Sequence, residues 1–595
     1  MTRGCLCAAA LLALAGTAVA QVDTTARRDT TARRDTTARR DTTARDTAPA
    51  YLPAFAPASP QGPLPRGSRY SFTVDSFALS GIQTLSDLLA RIPGVYVARG
   101  GIYGQAEIAL YGGRGPAALE VYWDGVPYLP IGRDSVYLDP ARIPLAPLQR
   151  VDVIVLPASL RVYLVTVRHR STQASTLIRI TTGQVRTAGY RGWFLKRWRS
   201  GLGLSLAADY NNNDGIPGSS STAFNSVDLW LKAEYLRSGR LGASYQVLSS
   251  TWTRSPSDPP GLVDRFPFER RDAVLRAFAA ARPDGLGPRV ELTLASATIS
   301  KDTAVTGRSV SQRMLTLSSA GAHARAGLTA RVQDADRPWQ VEAQAAWRPV
   351  RGLTLAADGR HAAYSGSRKG DRAHLAAGLA LPLGFSAHGD LAWAHDLQDP
   401  LVASDTAQKV TDYSGALRWD RSRGAIEVGG ARRDPFAPIG RPTGLKPFVG
   451  LALTPRTRYL TVHASTQPVP GIFLSGWYFN PLVEGGNDFE PPYHARLSAT
   501  FYTKFWRVYR SGIFALRLEL AAESWSRGTA GVDSLGQAVL LPGATFMESN
   551  LEIRVAGVTI YWIQRNTNGF RGSYVPGLDY PRRFQFYGVR WAFTD

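Results

Sequence analysis

Eight histidines, two cysteines and a scatter of hydroxyl and carboxylate side chains are the residues of this chain suited to metal binding or bond making. His169, His323, His361, His374, His388, His395, His463 and His494 include no pair at the three- or four-residue spacing that puts two imidazoles on one helix face, so no metal is expected. Cys5 and Cys7 both precede a small-x-small cleavage pattern, Ala18-Val19-Ala20, and a mature chain starting near Gln21 carries no thiol for a disulfide or a thiolate zinc site. Gly112-Gly113-Arg114-Gly115 lacks the Lys-Ser/Thr of a phosphate loop and leads into a strand, which predicts turns. No Gly-x-Ser-x-Gly elbow occurs. Asp124-Gly125 is expected to be a hairpin turn in which glycine supplies a positive φ. No catalytic constellation and no cofactor motif emerges. A Ser/His pair hidden on a sheet wall, an outer-membrane hydrolase, stays open as an alternative.

The elements that hold these residues fall into four stretches. Residues 1–20 read as an export signal: Arg3 is the basic start and Leu11, Leu12 and Leu14 the apolar core, shorter than a bilayer span. Residues 21–69 read as a disordered tether. Asp-Thr-Thr-Ala-Arg-Arg repeats at Asp23, Asp29 and Asp35, with a degenerate copy at Asp41, and Pro49 to Pro65 continue it in extended backbone. Residues 70–183 read as a small α+β domain. Leu85, Leu88, Leu89 and Ile92 share one helical face behind Thr84, Pro93-Gly94 ends that helix, and strand-like pieces follow at Gly94–Val97, Glu107–Tyr111, Leu119–Trp123 and Arg150–Leu156.

From residue 184 to 595 the pattern becomes period-two alternation. Leu202, Leu204, Leu206 and Tyr210 alternate with Gly203, Ser205 and Asp209; Val227, Leu229, Leu231 and Tyr235 oppose Asp228, Lys232 and Glu234; Leu516, Leu518 and Leu520 oppose Arg517 and Glu519. About twenty such segments, each near the length a tilted strand needs to cross a bilayer, predict a transmembrane antiparallel β-barrel with a polar lumen. A net charge of +22 is spread along the chain instead of striping a helix, which argues against nucleic acid and leaves lumen ligands or lipopolysaccharide phosphates as anionic partners.

Thr84 to Val97, Ile108 to Gly112, Val121 to Pro127 and Gln149 to Ile154, in that order and spacing, resemble the plug domain of TonB-dependent outer-membrane receptors. The resemblance implies a mainly β fold, a 22-stranded barrel with the α+β plug inside it, at the cell outer membrane. It also implies uptake of a scarce solute (a siderophore-like chelate, a vitamin or an oligosaccharide) driven by the TonB complex. Its motif residues fall on Pro93, Gly94, Tyr111, Gly112, Arg114, Asp124 and Gly125, and it gives Asp124-Gly125 a second reading, a loop facing substrate at the plug apex. The chain departs from the pattern in three places. Leu110-Tyr111-Gly112 replaces Ile-Arg-Gly, the stretch Arg161 to Arg170 reads as shortened or rebuilt, and Ser71-Phe72-Thr73-Val74 is only a weak match to a TonB box. A plugged barrel with a binding or structural role and no TonB coupling is therefore the first alternative.

Overall fold

The computed structural model describes residues 51–52, 64–74, 81–100, 104–132, 137–214, 223–254, 266–301, 307–334, 339–400, 404–439, 450–505, 513–533 and 535–594. The export signal, the hexapeptide repeats and most of the tether lie outside them.

Residues from Ser175 to Thr594 close into a barrel of 22 antiparallel strands, each paired with its sequence neighbour and the last, Phe584–Thr594, paired with the first, Ser175–Gly183. Closure leaves no unpaired edge, the condition for a sheet in hydrocarbon. Alternation sets the faces as expected. On Phe224–Arg237, Leu229, Leu231 and Tyr235 are exposed on the outside while Asp228, Lys232 and Glu234 are buried within. Exposed aromatics form two outer belts, with Tyr190, Trp339, Tyr413 and Tyr587 near one end and Trp198, Tyr235, Trp347 and Trp591 near the other. Such girdles mark the two interfaces of a bilayer. Turns such as 238–240, 422–423 and 556–557 close the second end, whereas 434–456, 526–543 and 566–583 are long connections at the first. Short turns belong on the periplasmic side and long loops outside.

The barrel starts earlier than residue 184. Ser175–Gly183 is its first strand, with Ile178 and Ile180 outward and Arg179 inward, a short alternation that lies inside the stretch read as plug. The closing hairpin runs from Val558–Arg565 to Phe584–Thr594.

Inside lies the plug. Strands β1 (Arg69–Thr73), β2 (Tyr96–Arg99), β3 (Glu107–Leu110), β4 (Leu119–Trp123), β5 (Val126–Pro127), β6 (Leu148–Val155) and β7 (Leu160–Thr166) form a five-stranded sheet in the order β1-β6-β7-β4-β5 and a separate β2-β3 hairpin. Only β4 and β7 run parallel. Helix α1 (Leu85–Leu89) is shorter than its apolar face, because the chain tightens into turns at Arg91 and Ile92 before Pro93. Even so, Leu85, Leu88, Leu89 and Ile92 are all buried with Val121, Val151 and Val162 in the plug core. Two further expectations change. Arg161 to Thr166, the start of the stretch read as shortened or rebuilt, is an ordered strand that supplies most of β7 and pairs on both sides. Ser71–Thr73 is no free box: it lies in β1, where Ser71 Oγ donates to Asp152 at 2.5 Å.

Candidate functional site

Each face of the plug is fixed to the lumen by side chains that alternation turns inward. Asp87, at the start of α1, accepts from Gln83 N at 2.8 Å and Thr84 N at 3.1 Å. Its two oxygens also accept from Arg565 of the wall at 2.9 and 2.8 Å, and from Arg99 at 2.9 Å. Burial alone would raise the Asp87 pKa, but Arg565, Arg99 and these hydrogen bonds outweigh it and hold the carboxyl far below its usual range. Arg91 pairs with Glu519 at 3.0 Å, and Asp139 at the loop-side apex pairs with Arg254 at 3.4 Å. Tyr96 of β2 sits in an aromatic cluster with Phe489, Trp525 and Tyr574 and donates its hydroxyl to Tyr574 O at 2.8 Å.

The motif residues do not gather into one site. Pro93 and Gly94 end the helix, with Gly94 at φ +78° against the Phe479 ring. Tyr111 lies under the Arg433 guanidinium, 4.7 Å from its ring centre. Gly112 and Gly113 both take positive φ, and Gly113 N donates to Glu490 at 2.9 Å. Arg114 reaches the wall: its Nη2 lies 2.6 Å from both Asp412 oxygens, and the guanidinium stacks 4.4 Å from the Phe436 ring centre. Asp124 and Gly125 form the turn between β4 and β5, both with positive φ. That turn is not at the apex. It points to the turn-side half of the lumen, where Arg276 donates to Asp124 O at 2.8 Å and Thr166 donates to its carboxylate. Burial raises the Asp124 pKa, while Lys232, Arg276 and Thr166 more than offset this and keep it low.

A cavity of about 200 Å³ lies between the outward side of β4 and β7 and the wall, near the loop end. Glu120, Arg161, Arg331, Arg360, Arg372 and His374 line it, and Gln398 and Phe436 belong to the loops above. Gln398 and Gln408 tie those loops together by donating to Ala437 O at 2.7 and 2.9 Å. Arg360 and Arg372 are directly opposed on neighbouring strands. Like charges so placed repel unless acids lie between them. Asp396 accepts from both, and Glu120 of the plug reaches Arg372 and lies 4.0 Å from Arg360 and 3.5 Å from Arg161. Burial works against ionisation, but Arg372, Arg360 and Arg161 hold the Glu120 carboxyl down at about 2. His374 spans two carboxylates, Asp358 at 2.9 Å and Asp390 at 3.1 Å. No group of three or more His, Cys, Asp or Glu side chains among the described residues is placed to hold a metal ion.

Apart from His374, these cavity residues were not singled out by the sequence. They come from strands far apart in the chain, and only an inward place in the alternation, as at Arg360 and Arg372, marks them beforehand.

A family model for the TonB-dependent receptor plug domain matches residues 66–163. No curated protein matches the chain by sequence. Among solved structures, the siderophore receptor PirA from Acinetobacter baumannii superposes with a TM-score of 0.66 at 10% identity, covering 89% of this chain and 98% of that one. The FrpB iron transporter from Neisseria meningitidis gives 0.67 at 9% identity, covering 89% and 99%. A mutant of the ferric enterobactin receptor PfeA from Pseudomonas aeruginosa gives 0.67 at 11%, covering 89% and 98%. At such identities the likeness is one of fold. Residues 66–163 match the plug domain of TonB-dependent receptors, and the chain as a whole has the plugged-barrel fold of the structures it superposes on.

Proposed function

We propose that this outer-membrane receptor binds a scarce, negatively charged solute at the loop-side cavity and admits it to the periplasm when the plug shifts, with the TonB complex supplying the force. The observation that carries the reading is the cavity itself, where Arg161 of the plug and Arg331, Arg360 and Arg372 of the wall converge around one space. A lumen closed by 22 strands is wide enough to conduct unless filled, so binding has to precede passage. The three structural neighbours are named for siderophores, iron and ferric enterobactin, which favours an acidic iron chelate over a vitamin or an oligosaccharide. Lipopolysaccharide phosphates are a separate anionic partner, suited to Arg432 and Arg458, which are directly opposed near the loop end of the wall.

The test is growth or labelled uptake in a deletion strain supplied with a panel of chelates, vitamins and oligosaccharides. The strain is complemented by the wild-type chain or by the Arg360→Gln/Arg372→Gln double variant. Uptake of one anionic solute should require the chain and fall with the double variant; uptake of every solute without the chain would end the proposal. One observation favours a second reading, a barrel without TonB coupling: Ser71–Thr73, from the weak match to a TonB box, is a paired strand of the plug sheet. Uptake that survives TonB depletion would decide for it.

A further inference from the structure

We propose that Glu120 is a tethered stand-in for the acid group of the solute, so that an anion entering the cavity competes with the plug for the same guanidinium groups and loosens that side of the plug. The inference rests on the proposed ligand cavity and adds how binding is linked to plug movement. Along β4, Leu119, Val121 and Trp123 face the plug core, which turns Glu120 and Tyr122 toward the wall. The Glu120 carboxylate there meets Arg372, Arg360 and Arg161, and Tyr122 Oη donates to it at 3.1 Å.

The clamp stands without Glu120. Asp396 holds Arg360 at 2.6 Å and also binds Arg372, and it is itself fixed by the Tyr364 hydroxyl at 2.6 Å and Leu397 N at 2.8 Å. Arg161 is held by Asp358 at 2.8 Å, and Asp358 by His374. Arg161 Nε makes no hydrogen bond to the described protein atoms and lies beside Glu120. Two opposed wall arginines with one wall carboxylate leave a position for one more negative group. The plug fills that position, and the adjoining cavity gives a second acid room to approach. A carboxylate or phosphate group on the solute satisfies the same donors. Since both cannot occupy the clamp, solute affinity and plug seating oppose each other to the same extent.

The test uses the full chain purified in detergent, with citrate and inorganic phosphate as probes against chloride at equal ionic strength. Calorimetry measures binding, and hydrogen exchange of residues 119–123 measures seating of β4. In the wild type the probes should bind weakly and speed exchange in β4. Glu120→Gln should bind them about tenfold more tightly, a competitor having been removed, with fast exchange already present before any probe is added. Arg372→Gln should bind neither probe. Circular dichroism and heat-modifiable migration check that each barrel is folded. Equal affinity in the wild type and Glu120→Gln overturns the stand-in while leaving the cavity as a ligand site. Absence of binding in every folded variant overturns both.

Discussion

Asp87 and Asp139 are both buried plug carboxylates, and their surroundings drive them in opposite directions. For Asp87 the folded pKa is depressed. Its contribution is therefore present above the unfolded value and disappears only as pH falls through the folded one, so this latch holds throughout the ordinary pH range. Asp87→Asn leaves Arg565 and Arg99 without their shared anion, and breaking a buried pair of this kind costs about 3–5 kcal/mol. Protease cleavage near α1 should then appear at lower denaturant than in the wild type; an unchanged midpoint would show that the pair does not hold the plug. For Asp139, burial pushes the carboxyl up to about 6 against the pull of Arg142 and Arg254. The sign reverses: its contribution is complete below the ordinary value of 3.8 and is lost as pH rises through about 6. The apex should loosen between about pH 4 and 6, and Asp139→Asn, which keeps an acceptor for Ala141 N, should remove that dependence, about 2 kcal/mol over the range. Unfolding midpoints across that pH range check this, and parallel profiles for the two proteins would refute it.

Elements were legible where one local rule decides them. The helix before Pro93-Gly94 and the hairpin at Asp124-Gly125 follow from apolar spacing and from glycine at a positive φ, and β4 falls on the expected residues. The β7 strand lies in the stretch read as shortened or rebuilt, and it is fixed by pairing with β4 on one side and β6 on the other, which no local pattern encodes. Charge clusters such as Glu120 with Arg360 and Arg372 depend on cross-strand register and on how the plug sits in the wall, and no spacing in the chain encodes them. Two glycines separate strain from crowding. Gly112 takes φ +69°, and an added Cβ there would meet Ala158 Cα at 3.0 Å; Gly285 takes φ +79° in a wall turn with nothing within 4 Å. Gly285→Ala should cost only the strain of the backbone, about 1 kcal/mol. Gly112→Ala adds displacement of the 111–115 turn, and with it the Arg114–Asp412 contact, so its thermal midpoint should fall further and β4 should exchange faster. Equal losses in the two variants would mean that the Ala158 backbone gives way freely.

At the scale of the whole molecule, barrel and plug are stabilised by different means. The wall is held by a closed ladder and by hydrocarbon around its apolar face, and neither depends on the plug. The plug has an apolar core around Leu88, Val151 and Val162 and meets the wall both through charge, as in Asp87–Arg565, Arg91–Glu519, Arg114–Asp412 and Arg161–Asp358, and through apolar clusters, as in Tyr96 with Phe489 and Trp525 and Ile131 with Ile299 and Val310. The polar pairs can be exchanged for water if the plug is removed, whereas the apolar clusters would expose their wall side to the lumen. Deleting residues 64–168 should therefore leave a barrel that still inserts and migrates as a heat-modifiable species. It removes the plug partners of Arg565 and Asp412, which then face an open lumen. Planar-bilayer recording should show steady ion conduction for this variant and none for the full chain. If the deleted form fails to insert, or inserts and stays closed, the wall depends on the plug for its shape and the two are one folding unit.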